Sequence, residues 1–387
     1  MSAYQQAKTI SFALLFFLGA FSGFAQIDPE HRNLVELGYD QPLAGQGPQG
    51  IYAYYYYNQP DFYGTNIALR VAFAPTYLDS ELGFKQLISP TTDLGIGIAG
   101  GAYGDNYYEV RQGTFIKRES FDGDGGSAAV NIYQLLDPGK LIPLSVVARG
   151  GIHYATYDNE NQTAGNFVLP RDQLSMFTRV GLRFAGNEPV LYPELGLEVS
   201  LWFEQDLRFD HQRYGFNDDR SLKPSVNLYW AYAGLNYTFT NIGHQFSVAI
   251  TAGGSDNADR LSAWRLGGVL PLIAEYPLVL PGYYYEELTA QKFVHFYGAY
   301  EIPLDRSEYF RFRVEGASAV IQYLPGFEQN AWQSGVGCGL AFTPKSKKFK
   351  IILRYGYGFN AIRNGSEGAQ SIGVLFQYDF MAKKKQS

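Results

Sequence analysis

The side chains able to do chemistry in this chain fall into alternating rows rather than compact motifs. Arg311, Arg313 and Glu315 take every second position of one apolar segment. Glu301 and His295 share a side of the segment before it, and Arg354 recurs in the same way further on. Successive residues of a strand point to opposite faces, so these rows gather charge of both signs on one side of a sheet. Such a face suits ion pairing in a confined space, where a lone charge is costly, or the electrostatic lining of a pore. Catalytic patterns are missing. The histidines at 31, 153, 211, 244 and 295 show no i, i+4 pair or metal spacing. There is no GxSxG elbow and no P-loop, and the acidic runs at Asp122/Asp124 and Asp256/Asp259 read as solvated loops rather than calcium sites. Cys338 is alone, so no intrachain disulfide or cysteine cluster forms. The chain is read as a non-enzyme with no cofactor and no metal.

Strands of the outer membrane are the elements that would position such rows. Lys8, the apolar run Ile10–Phe21 and the small-residue site Gly23-Phe24-Ala25 read as a signal peptide over residues 1–25. No later run approaches the ~18 apolar residues of a spanning helix. Charged residues are 18%, below the ~25% of soluble domains, while 31 Tyr, 28 Phe and 43 Gly enrich the chain in barrel-forming types. A formal charge of −6 argues against a nucleic-acid partner. Residues 26–49 are read as a short periplasmic lead-in, either unstructured or carrying a plug helix around His31–Leu37.

From residue 50 to 380, period-2 segments recur between Gly, Asn, Asp and Pro turns. Fifteen are countable, at 51–57, 66–78, 91–101, 107–118, 126–135, 142–154, 172–184, 190–204, 225–239, 245–254, 290–303, 309–323, 331–342, 348–360 and 370–380. Bacterial single-chain barrels have even strand numbers, so a sixteenth is placed within Gln205–Tyr214. The fold class is all-β, an antiparallel transmembrane β-barrel of about 16 strands. Ile351, Leu353, Tyr355, Tyr357 and Phe359 oppose Lys350, Arg354, Gly356 and Gly358, which assigns the first set to lipid and the second to the lumen. Aromatic clusters at Tyr54–Tyr57 and Tyr107-Tyr108 suit interfacial girdles. The alternating Phe376, Tyr378 and Phe380 resemble a C-terminal signal for barrel insertion, and residues 381–387 form a polar tail.

One stretch breaks the pattern. Trp264–Pro303 contains a glycine pair, dense prolines and a Pro281-Gly282 turn before period-2 alternation resumes. A long irregular apolar segment inside a regular β chain is usually functional. It is read as a loop over 255–289 folded into the lumen. Gly335, Gly337, Gly339, Gly356 and Gly358 fall on inward faces, where glycine permits close approach of another backbone.

RLGG (Arg265–Gly268, with Gly267 and Gly268), LPGYYYEEL (Leu280–Leu288, with Pro281, Gly282 and Tyr283) and GAYEIPL (Gly298–Leu304) resemble the C-terminal barrel of the bacterial surface antigen superfamily, which includes BamA- and TamA-like assembly factors. The resemblance covers about Leu261–Phe380. It implies a lumen-inserted sixth loop followed by five strands, a seam between first and last strands, and a role in outer-membrane protein or lipid handling or export. Implied partners are outer-membrane lipid and client membrane proteins or a periplasmic partner. This chain has no room for the family's periplasmic repeat domains. Pro281 stands where the family has an arginine that meets acidic groups corresponding to Glu301 and Glu315. Those carboxylates are expected to draw on Arg311, Arg313 or Arg265 instead. The alternative function is a passive diffusion channel with a charged lumen.

Overall fold

The computed structural model describes residues 30–74, 76–137, 139, 142–186, 195–239, 241–270, 276–346 and 348–381. The segment read as a signal peptide and the tail beyond Met381 lie outside them. Sixteen antiparallel strands close into a barrel. In chain order they are β1 (Arg32–Pro42), β2 (Gly50–Gln59), β3 (Ile67–Ala74), β4 (Tyr77–Ser89), β5 (Thr92–Gly101), β6 (Asp122–Leu135), β7 (Leu144–Asp158) and β8 (Gln173–Ala185). There follow β9 (Leu195–Arg208), β10 (Ser225–Phe239), β11 (His244–Asp256), β12 (Leu288–Pro303), β13 (Phe310–Tyr323), β14 (Trp332–Phe342), β15 (Phe349–Arg363) and β16 (Ser366–Asp379).

Each strand pairs with its neighbours in sequence, and β1 pairs with β16 over nine residues, from Leu34↔Asp379 to Pro42↔Ser371, without a register shift. Closure leaves no wall strand with a free edge, the condition a sheet must meet in hydrocarbon. The ladder between β2 and β3 is shorter, five pairs from Tyr55↔Phe73 to Gln59↔Leu69. One end of the barrel carries short turns. The other carries long segments at 102–121, 159–172, 209–224 and 257–287. By analogy with outer-membrane barrels, whose long loops lie outside the cell, the long-loop end is named extracellular and the opposite end periplasmic.

Alternation sorts the side chains as the sequence predicts. In β15, Leu353 and Phe359 are about half exposed, at 50% and 48%, while Ile352 and Arg354 are buried at 3% and 4%. Val199, Leu201 and Phe203 of β9 and Val314 and Val320 of β13 are likewise exposed. Water-facing apolar patches rarely exceed a few hundred Å²; a belt repeating around the whole ring fits hydrocarbon instead. The interior holds the opposite set, including buried Glu36, Asp40, Glu81, Asn131, Glu301, Arg313 and Glu315.

Four stretches correct the sequence reading while leaving the strand number at sixteen. The 26–49 lead-in contains β1, so the barrel begins at Arg32 rather than at residue 50, and no helix forms at His31–Leu37. Glu36 and Asp40 face the lumen there and weaken the apolar signal. The segment at 66–78 is two strands, β3 and the start of β4, folded at a tight turn. Residues 107–118 are not wall. They form a two-residue hairpin, Val110–Arg111 with Thr114–Phe115, and a 3-10 turn at Lys117–Glu119. Gln205–Tyr214 supplies only the end of β9 and a small hairpin of Arg213–Tyr214 with Arg220–Ser221.

Candidate functional site

The stretch that broke the periodicity lies inside the ring. After β11 the chain turns inward, and Trp264–Leu266 pairs with Leu288–Ala290 at the head of β12. Gly268 bridges Leu280, Gly267 N–H donates to the Leu278 carbonyl at 3.0 Å and Leu280 N–H to that of Gly268 at 3.0 Å. Leu266, Leu280, Tyr283 and Leu288 are fully buried in one apolar cluster with Phe293 and Ile321. Gly268 and Gly282 have φ of 92° and 88°, a region costly for residues with a Cβ.

The tip, Pro281-Gly282-Tyr283, rests on β14 and β15. A Cβ on Gly335 would overlap the Pro281 carbonyl, one on Gly356 would meet Gly282 N, and one on Gly358 would meet the Tyr283 ring. These three glycines form the cradle. For Gly337 and Gly339, predicted to dock the loop, the nearest neighbours are instead the Glu315 and Arg354 side chains and the facing β15 backbone. Gly373 of β16, packed against Val269 and Leu270, does touch the loop.

Polar contacts fasten the same loop. Arg363 at the end of β15 grips Glu287 through two parallel bonds, Nη1 to Oε1 and Nη2 to Oε2, both 2.7 Å, the strong bidentate form. Glu287 Oε2 also accepts the Tyr284 N–H at 2.7 Å, and the Arg363 guanidinium lies 3.4 Å from the Tyr284 ring centroid. Tyr283 Oη donates to Gln333 Oε1 at 2.7 Å, and Gly282 N–H to Ser371 Oγ at 3.1 Å. Val269 N–H donates to Asp40 Oδ2 of β1 at 2.6 Å. His295 Nε2 meets the Val279 carbonyl at 2.8 Å. On the far side Tyr276 Oη donates to Glu198 Oε1 of β9 at 3.0 Å and packs among Trp202, Trp230 and Tyr232. The loop therefore touches walls on both sides of the lumen.

The charged rows predicted for the lumen wall meet closer to the periplasmic end. Glu301 lies 2.6 Å from Arg311 and 3.5 Å from Arg313. Glu315 lies 3.2 Å from Arg313 and 3.4 Å from Arg354, and accepts the Tyr297 hydroxyl at 2.5 Å. Arg354 joins this network to the loop, donating to the Val269 carbonyl at 3.1 Å. Arg265 takes no part. It points toward the extracellular end, where it donates to Thr289 Oγ1 at 2.7 Å and lies 5.0 Å from the Tyr107 ring. Phe376, Tyr378 and Phe380 lie near the periplasmic end of β16, where Phe376 packs on Phe349 and Phe380 on Tyr378 and Tyr55.

A second closure lies above the loop. The segment at 102–121 reaches across the extracellular mouth until Gly113 abuts the Ile362 carbonyl and Gln112 bonds the Glu328 carbonyl at 3.2 Å. Glu109, fully buried, pairs with Arg260 at 2.6 Å, Arg111 at 2.8 Å and Arg220 at 3.7 Å. Arg111 and Arg220 also pair with Glu119. Beside this cluster Tyr107, Phe121, Phe167, Tyr214 and Leu222 form their own apolar core. These residues tie together the four long extracellular segments, and a polar cavity of about 370 Å³ lies between this roof, the inserted loop and the wall of β7 to β10.

Glu287, Arg363, Asp40 and the roof cluster were not singled out from sequence. Glu287 stood within the LPGYYYEEL run, which was the available signal. Asp122 and Asp124 lie at the head of β6, where Asp124 accepts the Tyr103 N–H at 2.9 Å. Asp259 is engaged by Arg208 and by backbone N–H groups of Lys223, Leu261 and Ser262. Among the described residues no group of three or more His, Cys, Asp or Glu could hold a metal.

No family model and no curated protein matches the sequence. Solved structures do resemble the fold. BamA from Haemophilus ducreyi lacking POTRA domains 1–3 is similar at a TM-score of 0.56 and 10% identity, over 89% of this chain and 70% of that one. CdiB from Acinetobacter baumannii is similar at 0.58 and 10%, over 90% of this chain and 60% of that one. OccK11 (OpdR) of Pseudomonas aeruginosa aligns at 0.43 and 10%, over 92% and 97%. The chain has a BamA-like barrel fold.

Proposed function

We propose that this chain is a plugged barrel of the bacterial outer membrane that acts in handling membrane proteins or lipids, or in export, and not as an open diffusion pore. The observation that carries this is the lumen loop fastened by the Arg363–Glu287 fork and the glycine cradle. The roof over the mouth adds a second obstacle. A barrel whose interior is occupied must work through its wall, its ends or a displaced loop. Its partners would be outer-membrane lipid and client membrane proteins or a periplasmic partner, and no catalytic chemistry is assigned to it. The likeness to BamA and CdiB supports the reading at the level of fold.

Planar-bilayer recording tests it. The intact barrel should show little steady conductance, and deletion of residues 274–287 should raise it. A large, stable conductance in the intact protein would instead establish the competing reading, a porin-like channel whose selectivity is set by the Glu301–Arg313–Glu315–Arg354 network.

A further inference from the structure

The outer wall carries a groove of about 600 Å³ across β9 to β13. Its floor is made of small residues, Ala231, Ala252 and Gly253, between the exposed side chains of Leu201 and Val320. Behind that floor the lumen is filled by Trp202 and Trp230, both buried and stacked with centroids 5.9 Å apart. The groove is therefore a lipid-side feature, open outward and backed inward.

Lys292 lines this groove and is exposed. Its placement depends on a bulge. Ala290 pairs with Tyr323 but Lys292 pairs with Gln322, so Gln291 is the extra residue, its carbonyl accepting Ser255 Oγ at 2.9 Å. A regular strand would send position 292 to the same side as Ala290, into the lumen. The bulge turns it outward, a common use of the irregularity. Lys292 stands near the start of β12, at the extracellular end, where a lysine stem can lie on apolar surface while its ammonium reaches the headgroups. No ion pair to Lys292 occurs among the described residues.

We infer that this groove binds one acyl chain of an anionic outer-leaflet lipid whose headgroup phosphate pairs with Lys292. The small-residue floor admits the chain, and the bulge supplies the charge at the level of the headgroup. The inference needs the barrel to sit in a bilayer but does not depend on the lumen being plugged.

The tryptophans behind the floor make it testable. The chain has four, and only Trp332 is exposed on the outer wall. In a W332F background, reconstituted barrels would be titrated with phosphatidylglycerol or phosphatidylcholine bearing dibrominated chains. Brominated phosphatidylglycerol should quench at lower mole fraction, by on the order of fivefold, the preference one lysine near an anionic surface supports. K292R should keep this preference, K292Q should lose it, and A252L, which fills the floor, should lose quenching by either lipid. Equal quenching by the two lipids, a preference that survives in K292Q, or no quenching at all would overturn the inference. Heat-modifiable migration of each variant would show that the barrel is intact. Conductance plays no part, so this result stands apart from the bilayer test of the plug.

Discussion

At the residue scale the lumen shows two kinds of charge, and only one was legible. Glu301, Arg311, Arg313, Glu315 and Arg354 could be assigned inward because a strand's period fixes the face of each. Arg363 and Glu287 could not be paired that way, since their meeting depends on where an irregular loop travels. Breaking a buried pair by removing one partner typically costs about 3–5 kcal/mol. R363A should therefore lower the thermal unfolding midpoint and produce bursts of conductance, and the exchange R363E/E287R should restore part of both. Glycine offers a separate test. G358A places a methyl group against the Tyr283 ring, and overpacking of this kind costs about 1–3 kcal/mol. G337A crowds Glu315 and the Tyr355 carbonyl instead. The first variant should increase protease access to the loop and the second should not, as read by limited proteolysis of reconstituted protein.

At the element scale the five strands after the loop were the most readable, because long unbroken alternation leaves little room for another assignment. β1 was missed for a physical reason. In RNLVELGYDQP the inward positions carry Glu36 and Asp40 and the outward ones Val35, Leu37 and Tyr39, a stripe too short and too polar to stand out. The 107–118 segment failed in the opposite direction. A loop that makes its own hairpin alternates as a wall strand does, and nothing local states that its aromatics pack over a mouth. β1 closes the ring against both β2 and β16. A chain starting after Pro42 should therefore expose two free edges, and it should fail to give the heat-resistant compact band on cold gel electrophoresis. Recovery of that band would mean that fifteen strands suffice.

At the scale of the whole molecule, roof and plug are two obstacles in series, joined at the base of the loop through Arg260 and Arg265. Loosening the roof through E109Q, which removes the charge that Arg111, Arg220 and Arg260 share, should raise protease sensitivity at 102–121 with little conductance while the loop stays in place. Combined with deletion of 274–287, it should give more conductance than the deletion alone, as single-channel recording would show. The sixteen-strand architecture was legible in the sequence; the second barrier was not, because it rests on contacts among four segments far apart in the chain. The uneven ladders have a mechanical consequence. The closure between first and last strands is zipped over nine pairs, while the neighbouring β2–β3 joint has five. Under lateral tension the cylinder should part at that thinner joint, one hairpin away from its formal ends, so that β1 and β2 would leave as a flap still attached to β16.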